Sequence, residues 1–528
     1  MNSTHENLPD DTQVLKQMLV DSHALLENQQ ERFDKETSIL IEQIRLLRQQ
    51  LYGKKSEKMP VDGPHPLPLF DLPEPDSIEP EVKTTEVPAH TRKKGGRKPL
   101  PEDLPRIEVI HDIPAEEKIC GCGHELSRIG EEVLEQLDIV PARIQVIRNI
   151  RPKYACKHCE GLEDDGPTVK IAPAVPQVIP KSIASPSILA HILTGKFVDA
   201  LPFYRQEKQF FRLGIDLSRT SMCTWTMQAA SICQPLLNLL QDEILAWPYL
   251  NIDETTLQVL HEPGRDPTSK SYMWVFRRGD PKRPVLVFQY HPSRAGSVAA
   301  AFLGDFQGYV QTDGYSGYDF LDRTKGIYHI GCLAHARRKF MDVVKAQGKN
   351  RKAGSADVAL GYIRKLYQIE DNAKGQSPDV FYQLRQEKAK PIIKEFHDWL
   401  LEKATQTPPK GLLGKAIAYA LNQWDRLIGY LADGRLSPDN NAAENAIRPF
   451  VIGRKNWLFG GTPEGAAASA LFYSLIETAK ANMLEPYAYL RYIFEKLPTA
   501  TTLEDYEALL PWNVKKSLLA LRPAMDAV

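Results

Sequence analysis

The chain has 528 residues, of which 42% are hydrophobic and 25% charged, and a formal net charge of −1. That length favours two to four domains over one core. No apolar run nears the roughly 20 residues that span a bilayer, and the near-neutral charge excludes a simple polycation that coats nucleic acid. The first 11 residues lack the basic-then-apolar pattern of a secretory signal, and seven scattered cysteines are too few for a disulfide scaffold. The reading is a modular cytoplasmic protein with no membrane role.

Leu19, Leu26, Phe33, Leu40 and Leu47 recur every seven residues in a charged, Gln-rich stretch, and Ile44 and Leu51 add a second apolar position. This spacing predicts a long helix within residues 1–55 whose seam suits self-association as a coiled coil, and therefore a homodimer or higher oligomer. Ser22, Gln29 and Thr37 weaken the second seam. Residues 56–115 form a Pro-rich linker, acidic at Asp71, Glu74, Asp76, Glu79 and Glu81, then basic at Arg92, Lys93, Lys94, Arg97 and Lys98. Such a segment builds no core. Its Gly95-Gly96-Arg97-Lys98-Pro99 run suits a DNA minor groove, with a purely solvated linker as the alternative.

Within residues 116–165, Cys120 and Cys122, then Cys156 and Cys159, flank a segment where Val140, Ile144, Val146 and Ile150 alternate as strand residues do. Four thiolates satisfy tetrahedral zinc and stabilise a module too small for a large core. The first pair is one residue short of the usual C-x-x-C knuckle, which leaves open replacement of a sulfur by His124 or His158, or a remnant that no longer binds metal. From Ser185 the apolar spacing turns helical. In the domain over 180–245, residues 202–213, a turn at Gly214 and residues 219–230 read as helix, turn, helix, with Ser218 as N-cap. A helix-turn-helix puts its second helix in a major groove, here with Arg219, Thr220 and Ser221 at phosphates or bases; a plain helical hairpin is the alternative.

Residues 247–260 alternate as a central strand with Asp253 in the middle. Further strands are expected at 271–278 and 284–290, a helix at 297–303, and a strand at 308–312 that ends at Asp313. Three hairpin strands, a helix and a parallel return make a mixed sheet whose first and fourth strands are neighbours, so Asp253 and Asp313 converge on one point suited to a divalent ion. A third acid follows much later. Ser437 suits an N-cap and Pro438 the first helical position, and Asn440, Glu444 and Arg448, four apart, line one face of the helix. Phosphodiester attack needs a deprotonated water or 3'-hydroxyl and a stabilised leaving oxygen, and paired divalent ions about 4 Å apart serve both. Carboxylates are the hard oxygen ligands such ions take.

The motifs "IDETTLQVL", "VQTDGYSGYD", "GCLAHARRKF" and "SPDNNAAENAIRPFVIGRKNWLFGG", with the basic "GRKPLPEDLPR" linker and the "EQLDIVPARIQVIRNIRPKYACKHCE" cysteine module, resemble the transposases of the insertion-sequence-66 family over nearly the entire chain. The resemblance implies an α+β multidomain protein with a ribonuclease-H-like mixed α/β catalytic core at 246–337 and 437–484, carrying a DDE triad at Asp253, Asp313 and Glu444 that holds two magnesium or manganese ions. It also implies the coiled-coil helix, a zinc-ribbon-like module, the helix-turn-helix and a C-terminal helical element over 485–528. The 130 residues between Asp313 and Glu444 exceed what one connection needs. Helical spacing around Leu360, Ile363, Leu366 and Tyr367, and again over 412–431, marks an all-helical insertion at 338–436, and the resemblance to other DDE transposases implies that it braces DNA ends or a partner subunit.

Cys332-Leu333-Ala334-His335 matches a C-x-x-H element seen beside the second aspartate in several transposase groups. His335 either helps position the scissile phosphate or caps the core, and is not read as a metal ligand; Arg337, Arg338 and Lys339 follow it toward phosphate. Beyond Glu444, Arg448, Arg454, Lys455 and Trp457 join cations to an aromatic ring that either stacks on an unpaired base or fills the core under Gly460-Gly461. Asn445 stands where a basic residue is expected. The expected function is a transposase that binds terminal inverted repeats, cleaves DNA and joins 3'-hydroxyls to target DNA, with accessory proteins of the same element as further partners and the nucleoid as its place. The alternative is a catalytically inactive DNA-binding regulator derived from one. A two-carboxylate glycosidase has no use for the basic linker and helix-turn-helix.

Overall fold

In the computed structural model, which describes residues 11–52, 144–155, 169–347 and 352–519, the heptad segment forms α1 (Thr12–Tyr52). Its seam residues Leu19, Leu26, Phe33, Leu40 and Leu47 are each between 56% and 65% exposed. Toward its C-terminal end α1 packs on α6 (Leu333–Gln347). The chain forms two compact units, Glu57–Ile171 and the remainder.

In the smaller unit β1 (Lys153–Ala155) pairs antiparallel with β2 (Val169–Ile171). The strand expected through Ile144, Val146 and Ile150 is not formed: Val146 is 90% and Ile150 75% exposed. Alternation encodes a strand only where a ladder neighbour and a core face exist, and among the described residues this stretch has neither. Cys120, Cys122, Cys156, Cys159, Arg97 and Lys98 lie outside the described residues.

The larger unit, which includes α1, resumes with α2 (Pro186–Phe197), whose first turn has Pro186 at N1 and the Ser185 hydroxyl accepting from the Ile188 amide. Next come α3 (Phe203–Arg212), a turn with Gly214 at φ +79°, and α4 (Arg219–Leu245), where Ser218 caps the Ser221 amide as its sequence suggested. Ile192, Phe203, Phe210, Leu217 and Met222 fill the space between these helices.

A five-stranded sheet follows: β3 (Tyr249–Gln258), β4 (Lys270–Arg278), β5 (Leu286–His291), then α5 (Gly296–Leu303), β6 (Gly308–Gln311) and β7 (Ile327–Ile330), in the order β5-β4-β3-β6-β7. The first three strands are antiparallel and the last two run parallel to β3, with Leu250 opposite Val310 and Asn251 opposite Gln311. The sheet thus has its first and fourth strands side by side, as the element order required. Gly308 opens β6 at φ +144°, and a Cβ there would meet the Pro248 carbonyl at 2.3 Å. Gly308→Ala is therefore expected to destabilise the fold by about 2–4 kcal/mol, read from the shift of a urea unfolding midpoint.

After α6, the chain builds a helical layer from α7 (Ser355–Asn372), α8 (Pro378–Leu384), α9 (Lys390–Gln406), α10 (Leu412–Asn422) and α11 (Trp424–Ile428). Phe340, Ile363, Phe396, Leu400, Ile417 and Tyr430 form its core. The buried Arg385 ties it together through Glu370 at 2.7 and 2.8 Å and the carbonyls of Tyr430, Asp433 and Leu436.

The chain then returns to the sheet as α12 (Asn441–Trp457), α13 (Pro463–Ala481), α14 (Pro486–Lys496) and the short α15 (Leu503–Glu507). From α13, the Ser474 and Thr478 hydroxyls accept from the Phe288 and Leu286 amides of β5 at 2.7 and 3.0 Å, which covers an otherwise open sheet edge. The expected N-cap at Ser437 is overturned: α12 begins three residues later, with Asn440 at the cap position. The backbone of Ser437 and Pro438 is bound elsewhere, to the Gln311 amide and the Leu333 N–H, so the Asp439 carboxylate accepts the Asn441 amide instead. No helix among the described residues is long and apolar enough to cross a membrane.

Candidate active site

Strand alternation puts Tyr249, Asn251, Asp253 and Thr255 on one face of β3. Helix α12 lies against that face, since Asn440 Oδ1 accepts from the Asn251 side-chain amide at 3.0 Å and Asn440 Nδ2 donates to the Ile252 carbonyl at 2.9 Å, while Arg454 bonds the Thr255 hydroxyl at 3.1 Å. Continuing the β3–β6 register two residues beyond Asn251 and Gln311 brings Asp253 opposite Asp313, on strands about 4.8 Å apart. Glu444 stands one helical turn after the pinned Asn440, on the same face of α12.

The three carboxyls feel one another. Asp253 has its pKa pushed up to about 8, first by burial and then by the charges of Glu254, Asp313 and Glu444, with the Glu254 amide opposing. That amide bonds Asp253 Oδ1 at 2.9 Å, and the Tyr315 amide bonds Asp313 Oδ1 at 3.0 Å, so both aspartates are oriented by backbone donors. Glu444 is held by Arg338, whose guanidinium meets Oε2 at 2.5 Å and reaches His335 Nε2 at 3.1 Å. Acids that repel each other in a half-buried cluster are the donor set a hard divalent cation would neutralise.

Beneath the acids lies a buried amide network that sequence reading passed over. Asn251 donates to Gln311 Oε1 at 3.0 Å, the Tyr249 hydroxyl donates to the same oxygen at 2.5 Å, and Gln311 Nε2 donates to the carbonyls of Gly331 and Ser437 at 3.0 and 2.8 Å. It ties β3, β6, the start of α6 and the approach to α12 into one frame. The signal was present: Asn251 and Gln311 each sit two residues before an aspartate, on the same strand face. Gln311→Leu leaves several buried polar groups unpaired and is expected to cost about 3 kcal/mol, measured by chemical denaturation. Glu254, on the opposite face, is likewise set by Arg294 at 2.6 Å and by the Tyr318 hydroxyl.

The other residues singled out from sequence part into two groups. Asn440, 1% exposed, spends its side chain on β3, a positioning role that takes it out of line with any phosphate. Arg454 is engaged with Thr255 and with the carbonyl and hydroxyl of Thr256. Trp457 packs edge-on against Phe450 at 5.5 Å with Lys196 over its ring, the arrangement of a core residue. Arg219, Arg448 and Lys455 are exposed, and Arg337 is half-buried. His335 turns Nδ1 toward Glu444 Oε1 at 3.8 Å, and burial first, then Arg338, pull its pKa down.

Comparison with known proteins adds four matches along the chain. Residues 181–468 match the family described as "Transposase IS66 family", 474–512 the "IS66 C-terminal element", 117–160 the "zinc-finger binding domain of transposase IS66", and 39–109 "Transposase C of IS166 homeodomain". Among curated proteins of Sinorhizobium fredii (strain NBRC 101917 / NGR234), the chain is 34% identical to uncharacterized protein y4jD over 98% of both chains. It is 31% identical to uncharacterized protein y4hP over 83% of this chain and 80% of that protein.

Proposed function

Because the chain belongs to the IS66 family of transposases, we propose that it binds the terminal inverted repeats of an insertion sequence and carries out metal-dependent DNA cleavage and strand transfer. The observation that carries this reading is the approach of three acids from distant parts of the chain: Asp253 on β3, Asp313 two residues past the end of the adjacent parallel β6, and Glu444 one turn into a helix pinned to β3. The mixed sheet around them supports a ribonuclease-H-like core.

Asp253, Asp313 and Glu444 are the residues that would hold magnesium or manganese. When bound, such ions activate the attacking water or 3'-hydroxyl and stabilise the leaving oxygen. The chain's own part is positional. The Glu254 and Tyr315 amides fix the two aspartates, the amide network fixes α12 against β3, and Arg338 keeps Glu444 compensated. The exposed Arg219, Arg448 and Lys455 supply cations for backbone phosphates. The helical layer braces DNA ends or a second subunit, α1 joins subunits through its exposed seam, and the cysteine module takes structural zinc. The regulator alternative lacks a specific support, since all three acids are present.

The test uses full-length protein and labelled duplexes that carry the ends of its own element. The expected result is magnesium-dependent release of a 3'-hydroxyl end and its joining to a target plasmid, both stopped by EDTA. Tight, specific end binding with no cleavage in magnesium or manganese would overturn the reading.

A further inference from the structure

Beside the three acids the chain assembles a second, chemically different set of donors. Cys332, His335 and Glu444 each present one ligand atom, all within 4.8 Å of one another. In this cluster His335 Nδ1 and Glu444 Oε1 are buried, face each other at 3.8 Å and have no hydrogen-bond partner. Cys332 Sγ already accepts the Asn440 backbone N–H at 3.2 Å, the kind of outer contact that steadies a coordinated thiolate. Unpaired buried polar atoms carry a free-energy cost that a ligand relieves.

We propose that Cys332, His335 and Glu444 form a binding site for a zinc-class cation, distinct from the oxygen-only site of the two aspartates. A set of sulfur, imidazole nitrogen and one carboxylate oxygen suits zinc and cobalt, whereas magnesium takes the oxygen and avoids the sulfur and the nitrogen. Zinc lies roughly 2.3 Å from sulfur and about 2.1 Å from nitrogen in tetrahedral geometry, which sets two such donors about 3.6 Å apart. The His335–Glu444 pair at 3.8 Å is already near that separation, and the widest pair, within 4.8 Å, closes by about 1 Å through side-chain rotation.

Arg338 opposes the ion and so gives the proposal a handle. It donates to His335 Nε2, which leaves the ring proton on Nδ1, and it holds Glu444 Oε2 from the outer side. When Nδ1 coordinates, the ring proton passes to Nε2, the thiol proton leaves to solvent, and Arg338, 40% exposed, turns outward. Because Glu444 serves both sites, an ion here withdraws it from the aspartates, and zinc inhibits where magnesium activates.

The test is cobalt titration of full-length protein in which Cys120, Cys122, Cys156 and Cys159 are replaced by serine, so that the N-terminal thiols contribute nothing. Expected is one cobalt equivalent with a near-ultraviolet sulfur-to-cobalt band. Cys332→Ser abolishes the band, His335→Gln weakens binding at least about tenfold, and Arg338→Gln strengthens it. His335 and Arg338 are partly exposed, so these two variants read out binding even if Cys332→Ser misfolds. Asp253→Asn keeps the band, which separates this site from the proposed cleavage site: loss of cleavage with the band intact leaves the inference standing. A missing sulfur band, or a cobalt equivalent that disappears with Asp253→Asn but survives His335→Gln, overturns it.

Discussion

Asp253→Asn, Asp313→Asn and Glu444→Gln are each expected to lower magnesium-dependent end cleavage by on the order of 10³-fold, about 4 kcal/mol of transition-state stabilisation. Each substitution keeps the shape of the side chain and removes one anionic oxygen donor, so binding of end DNA, carried by cations elsewhere, should change less than about threefold. The measurement is a single-turnover cleavage assay beside a binding isotherm at fixed salt. The three should not add, because a site that has lost one anchor gains little from the others. Cleavage retained in any one variant removes that residue from the proposed site, and equal loss of DNA binding would mark it as structural.

The same aspartate should also govern stability. In the metal-free protein burial, then Glu254, Asp313 and Glu444, hold Asp253 up to a pKa of about 8, whereas in the unfolded chain it titrates near 3.9. The native state therefore keeps a proton that the unfolded state has lost. Stability falls as pH rises from about 4 to about 8 and then levels, with an order-of-magnitude ceiling of about 5 kcal/mol. Asp253→Asn carries no such charge, so in EDTA at pH 8.5 it is expected to be more stable than the unsubstituted protein by roughly 2 kcal/mol or more while being inactive. Magnesium should raise the melting temperature of the unsubstituted protein and leave the variant nearly unmoved. Identical pH profiles in EDTA would show that the cluster does not confine Asp253 as described.

Much of this was legible in the chain. Period-two alternation around Asp253 and the run into Asp313 gave the strands, and their order gave the neighbours, because three antiparallel strands followed by a crossover leave few ways to close a sheet. Ser218 announced a helix start through its local hydroxyl cap, which depends only on a residue three positions away, and the helical spacing from Ser185 marked another. The same logic failed at Ser437, where the backbone needed for a cap is claimed by Gln311 and Leu333 from distant segments. It failed again at Ile144 to Ile150 in the sense that alternation alone supplies no ladder partner.

Outside Ile144 to Ile150 and the start of α12, local sequence by itself determined which of the segments read from it are helix or strand and which residue types carry hard-metal chemistry, since caps, periodicity and carboxylate character are properties of a few neighbouring residues. Only the tertiary structure decided what those side chains do. It turned Arg338 onto Glu444, Arg454 onto β3 and Asn440 into the frame, and it set Cys332 and His335 beside the third acid. Those assignments rest on contacts between residues 100 or more positions apart, such as Arg338 with Glu444 at a separation of 106. Which partner a charge meets across such a distance depends on how helices and strands pack, and no local pattern encodes it.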